Sequence, residues 1–272
     1  MRKIAGFMAA FMLLGFTAAA EEPAGEISAY YYAAYAETAA VKQRLESAGF
    51  EVLADYAPTP KCETLVVSCP GLKSMASKPK RGFGAVMRVL VDGENRRVAY
   101  MNPLYFSKAF LQDDYDYATV QKVADKLKAA LGEGTPSPDK QDYDELGGYH
   151  FMMGMPYYED MDELAEGDDA ALLKKLETFE GGKHIVFKLD LGEGRTLVGY
   201  DLADETEKFV NKIGAQNAEV LPYTVLIEDG KATALAAKYY LAVSYPLLTM
   251  GEFMTIAGVP GTIESELKQP FQ

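Results

Sequence analysis

Thr64-Leu65-Val66-Val67-Ser68-Cys69-Pro70-Gly71-Leu72 decides the reading of this chain. Five residues from Thr64 to Ser68 form a β-prone, mostly apolar run, and Cys69-Pro70 stops it. Proline is favoured at the first helical position, where its missing N–H costs nothing. The stretch therefore predicts a buried strand that turns directly into a helix. A second stretch, Thr196-Leu197-Val198-Gly199-Tyr200-Asp201-Leu202-Ala203, has the same character.

The flanks of the two stretches agree in order. Before the first lie a tyrosine-rich strand from Ile27 to Tyr35 and an amphipathic helix from Thr38, with Val41, Leu45 and Ala48 on one face and Gly49 as its stop. The strand Phe50 to Tyr56 comes next. After the stretch come a short helix, the hairpin Ala85–Val91 and Arg97–Met101 about Asp92-Gly93, the break at Asn102-Pro103, and a helix with Val120, Val123, Leu127 and Leu131 inward.

In the second half, Tyr149–Tyr158 is expected as the first strand and Glu159–Asp169 as an acidic insertion. A helix carries Leu172, Leu173 and Leu176, and a hairpin turns at Asp229-Gly230. Ala40–Glu46 lies over Ala171–Glu177 at a separation of 131 residues; the central strands are 132 apart and the hairpin turns 137. Steady spacing with small loop gaps is what a duplicated domain gives. The expectation is an α+β protein of two related domains, residues 21–131 and 149–272. Each would be a curved antiparallel sheet with helices on one face, joined by a polar linker over 132–148.

Composition narrows the function. The net charge of −13 over 272 residues disfavours nucleic acid and anionic membrane surfaces as partners. Residues 1–20 combine Arg2-Lys3, an apolar run and Ala18-Ala19-Ala20, the pattern of a secretory signal peptide, so export to a bacterial periplasm is expected. Later segments are too short and polar to span a bilayer, which takes about 20 apolar residues. The two cysteines, Cys62 and Cys69, would lie about 23 Å apart on one extended strand. A disulfide tolerates about 7 Å, so no bridge is expected.

The first half resembles a known family, the bacterial domain of unknown function 302. The resemblance rests on the element order, on the strand ending in Cys69-Pro70, and on the hairpin leading to Asn102-Pro103 and a final amphipathic helix. It covers residues 27–131. The resemblance implies a small α+β domain related to the halves of the TATA-binding-protein fold, with a tendency to pair as dimers. It implies no activity.

Candidate sites are few. Cys69 stands at a helix N-terminus, where the dipole favours a thiolate; a buried strand-end cysteine is the competing reading. His150, Met152, Met153 and Met155 suit copper(I) chemically, but on a strand they would split between two faces, so a core strand reads better. The acids from Glu159 to Asp169 lack the glycine of a calcium loop, since Ala165 stands there, and read as a solvated loop. Tyr30, Tyr31, Tyr32 and Tyr35, with Tyr239 and Tyr240, are candidates to stack or to line a ligand groove. Neither a serine-centred elbow nor a phosphate-binding glycine loop occurs.

These readings favour a non-catalytic binding protein for a small molecule or an envelope protein. The cofactor is left open, with no metal assigned. Cys69, Tyr32, Asn102 and Tyr240 are the ligand-binding candidates. The alternative is thiol redox or copper handling through Cys69. The halves are expected to pack as a pseudo-dimer in a monomeric chain, with any ligand cleft at their junction.

Overall fold

The computed structural model describes residues 21–272; the signal-peptide segment expected over 1–20 lies outside the described residues. The protein is α+β, built on two antiparallel sheets of equal strand order. In the first half, β1 (Glu26–Ser28) and β2 (Tyr30–Ala34) precede α1 (Thr38–Ser47), β3 (Glu51–Thr59) and β4 (Cys62–Ser68). Then come α2 (Pro70–Ala76), β5 (Met87–Asp92), β6 (Arg97–Met101), α3 (Pro103–Leu111) and α4 (Tyr117–Leu131). Two short strands, β7 (Thr135–Pro136) and β8 (Lys140–Asp142), close this half. The sheet order is β3-β4-β5-β6-β2-β7, and β8 pairs with β1.

The second half holds β9 (Asp162–Glu166), α5 (Asp169–Thr178), β10 (Ile185–Gly192), β11 (Arg195–Tyr200), α6 (Asp204–Glu207) and α7 (Phe209–Ile213). It ends with β12 (Tyr223–Glu228), β13 (Lys231–Ala234), α8 (Ala237–Ser244), α9 (Met250–Thr255) and α10 (Val259–Lys268). Its sheet runs β10-β11-β12-β13-β9. Replacing β10 by β3, and so on along the chain, reproduces the first sheet's order through β2.

One face of each sheet is covered by its own helices. Val41 and Leu45 of α1, Leu72 of α2, and Val120, Val123 and Leu127 of α4 are buried over the first sheet, and Leu172 and Leu176 of α5 over the second. Asp116 caps α4, accepting from the Thr119 backbone N–H at 3.1 Å.

The other two faces cover each other. A 3₁₀ turn over Gly82–Ala85, between α2 and β5, lies on β11 and β12. Any side chain at Gly82 would run into Leu226 and Leu191. Its counterpart over Ala215–Val220, between α7 and β12, lies on β4 and β5 and buries Ala218 among Cys62, Leu90 and Ala99. The exchange is reciprocal, as in a two-fold interface, where one patch meets its own copy. Arg88 Nη2 donates to Pro222 O at 2.8 Å and Tyr105 Oη to Val243 O at 2.8 Å across this boundary.

Two expectations need correction. The first strand of the second half is Asp162–Glu166, inside the stretch expected as an insertion; residues 149–158 form loops and turns, with the Met155 N–H bonded to Met152 O at 3.0 Å and Met153 95% exposed. As an edge strand, β9 carries charge without burying it, and Lys231 of β13 bridges Glu163 at 2.5 Å and Glu166 at 3.2 Å. The 132–148 segment does connect the halves, but it is not a free tether: β7 and β8 within it pair with β2 and β1, Ser137, Tyr143 and Leu146 are buried between exposed stretches, and Ser28 Oγ donates to Ser137 O at 2.8 Å. Leu197 pairs with Leu226 on the face turned to the first half, and Thr64 pairs with Leu90 on the face turned to the second.

Candidate functional site

A cleft of about 480 Å3 opens along the junction, with walls from both halves. Tyr32 on β2, Arg97 at the start of β6, and Asp139 between β7 and β8 form one wall; Asn217, Tyr245, Leu247 and Glu252 form the other.

The first wall is fixed by a buried carboxylate. Asp92 ends β5 and is fully buried. It accepts from the Asn95 backbone N–H at 2.9 Å, from Asn95 Nδ2 at 2.7 Å and from Arg97 Nε at 3.3 Å. These bonds hold the hairpin turn and aim the guanidinium over the Tyr32 ring, 3.8 Å from its centroid. Such a stacked, ion-paired guanidinium is pre-organised, so little freedom is lost when it meets a ligand.

The second wall comes from the segments around α7, α8 and α9. Tyr245 donates to Asn217 O and stacks on Tyr30 of the first half at 6.1 Å. Thr249 caps α9 in a reciprocal box with Glu252. Behind the cleft sits Glu219, only 2% exposed, with Oε2 lacking any partner. Burial pushes its carboxyl up to about 8; its own backbone N–H and Arg97 oppose the rise, and Asp92 and Asp139 add to it. Glu219 therefore keeps its proton into the neutral range. Burial also raises Asp139, against the pull of the Leu247 backbone N–H.

The four sequence candidates do not converge. Tyr32 lines the cleft. Tyr240 lies at the junction but is 2% exposed, its hydroxyl donating to Val220 O at 3.2 Å and its ring edge-on to Tyr223. Asn102 caps α3, accepting from the Leu104 N–H at 3.1 Å and donating to Ser28 O at 2.7 Å, so its amide is spent on structure. Cys69 stands at the N-cap position of α2 without a capping side-chain hydrogen bond and is packed in the core beside Gly71. Both thiols are free and buried, and burial pushes that of Cys62 up. Among the described residues no three His, Cys, Asp or Glu side chains are grouped to hold a metal ion.

Arg97, Asp139, Glu219 and Tyr245 were not singled out by sequence. Their only linear signal is a buried-position carboxylate, Asp92, immediately before a turn and an arginine. No family model, curated protein or solved structure matches the chain.

Proposed function

We propose that the protein is a non-catalytic binding protein whose small polar ligand sits in the junction cleft. The observation that carries this reading is the Asp92–Arg97–Tyr32 arrangement, a buried carboxylate holding a guanidinium flat on an aromatic ring at the mouth of a two-walled cleft. Concave sites of this size between units are where ligands commonly bind. Internal duplication belongs to the same proposal and is supported by the equal strand orders and the reciprocal 3₁₀ turns. Duplication would supply within one chain the partner that a single half needs, leaving a monomer.

Membership of the first half in the domain of unknown function 302 family is likewise proposed, on the element order and on Cys69-Pro70 at the start of α2. Export to the periplasm, where the ligand or an envelope partner would be met, is proposed from the sequence of residues 1–20. No helix among the described residues is long and apolar enough to cross a membrane.

The test is a thermal-shift screen of small polar and charged metabolites, repeated on Leu247→Arg. Leu247 lines the cleft and is 56% exposed, so the substitution blocks the site without disturbing the core. Hits that vanish in the variant support the reading. Hits that survive it place binding elsewhere, and a screen without hits ends the proposal.

A further inference from the structure

The second half contains a larger cavity, about 860 Å3, that shares no residue with the junction cleft. It lies where β11 passes into α6 beneath α10. Five carboxylates line it, from Glu180, Asp201, Asp204, Glu205 and Glu266, against one lysine, Lys183, and His184. Several of them already have partners. Glu180 meets Lys183 at 2.5 Å and His184 Nε2 at 3.3 Å, Glu266 accepts from the Thr206 hydroxyl at 2.7 Å and from the Ala203 backbone N–H, and Asp201 accepts from Tyr56 at 2.6 Å. Each carboxylate has further lone pairs to offer.

A second observation is independent of that charge. Tyr200 lines the same cavity and is fully buried, yet its hydroxyl has no hydrogen-bond partner. Its ring lies parallel to the His184 imidazole, 5° apart in plane and 5.1 Å between centroids. The charges acting on the hydroxyl are those of Glu266, Glu180 and Asp201, all cavity residues. A buried hydroxyl left unpaired is a costly arrangement that a ligand donor would relieve.

The chemistry of the occupant follows. A bare metal ion is a poor fit, because no three ligating side chains among the described residues converge as a divalent cation requires. A guanidinium prefers a planar pair of oxygens on one carboxylate, whereas the lone pairs here are scattered over several residues. An ammonium group is a compact charge with three N–H donors that reach separate acceptors. We propose that this cavity binds an alkylammonium group, with N–H donors directed to Tyr200 Oη and to the carboxylates of Asp201 and Glu266. Asp204 and Glu205 at the mouth attract the remainder of a cationic chain. The excess negative charge of the protein steers such ligands toward it.

Calorimetric titration of the full chain at low ionic strength tests this, with spermidine and a short acetylated lysine peptide as probes. Tetramethylammonium, which has charge but no N–H, and magnesium chloride serve as controls. Tyr200→Phe removes only a hydroxyl that has no partner, so its own thermal stability should not fall, while affinity for the bound amine should drop roughly tenfold. Asp204→Asn, at an exposed position, should also weaken binding. Binding of spermidine alone identifies a free polyamine as the ligand, and binding of the peptide alone identifies a lysine side chain. The proposal is overturned if neither probe binds, if tetramethylammonium or magnesium binds as well as they do, or if Tyr200→Phe binds them unchanged.

Discussion

The Tyr56 hydroxyl lies 2.6 Å from Asp201 Oδ1, joining β3 of the first half to the segment after β11 in the second. The same hydroxyl contacts Glu207. A phenol has one proton to donate, so it cannot serve two carboxylates. The arrangement is complete only when Glu207 carries a proton of its own and donates it to the phenol oxygen. Glu207 is 8% exposed, and burial pushes its carboxyl up to about 8, with Asp201, Asp204 and Glu266 adding to the rise. Tyr56→Phe should therefore lower stability by about 1–3 kcal/mol, the range for a hydrogen bond to a charged group or an orphaned buried one. Urea unfolding measures it, and an unchanged midpoint would show that this cross-half contact contributes nothing.

Glu207 and Glu219 together predict the direction of pH dependence. Both carboxyls are raised to about 8 in the folded protein from an ordinary value of 4.5. The folded state therefore binds more protons than the unfolded state between these values. The stabilisation is fully present below the lower value and is lost as the pH climbs to about 8. Unfolding free energy should fall between pH 5 and pH 8 (both approximate bounds of this window). Glu219→Gln should flatten that slope, since its amide stays neutral throughout. A wild-type stability that rises over the window would contradict this account.

The cysteines give a chemical test of the first sheet. Cys62 begins β4 and Cys69 follows its end, and both are buried free thiols. Alkylation without reductant in denaturant should label both. In native buffer labelling should be slow, limited by opening of the sheet rather than by thiolate reactivity. A linked Cys62–Cys69 peptide in the mass spectrum would rule out the extended strand between them.

Local signals made much of this architecture legible. Asp229-Gly230 marked its hairpin, Gly49 marked a helix end, and Cys69-Pro70 marked a strand-to-helix turn that the structure contains. Charge hid β9. Its sequence Asp-Glu-Leu-Ala-Glu buries only Leu164 well, and an edge strand needs no more because its acids pair with Lys231. The packed linker was hidden for a similar reason. Ser137 is buried by hydrogen bonds and Tyr143 by contacts with Tyr115 and Glu22, so no apolar periodicity announces either. Only Tyr32 of the junction cleft was foreseen. Arg97 and Glu219 are brought near each other by the packing of two distant turns, and a proximity of that kind leaves no trace in linear spacing.

Reciprocal packing leads to a last prediction, about dependence between the halves. The face of β11 and β12 that carries Leu197 and Leu226 is buried by the turn at Gly82, and the face carrying Cys62 and Leu90 is buried by the turn at Ala218. Removing either half exposes a contiguous apolar sheet face, which soluble monomers rarely tolerate. Residues 21–148, which retain β7 and β8, and residues 149–272 should each self-associate or aggregate when expressed alone. Co-expression should yield a one-to-one complex whose size matches the intact chain in light scattering. Gly82→Leu in the first fragment supplies the control: the added side chain collides with Leu191 and Leu226, so the complex should weaken while the helix-covered face of that half is untouched. Two fragments that remain monomeric and do not bind each other would mean that each half is self-sufficient, and the pseudo-dimer reading would fall.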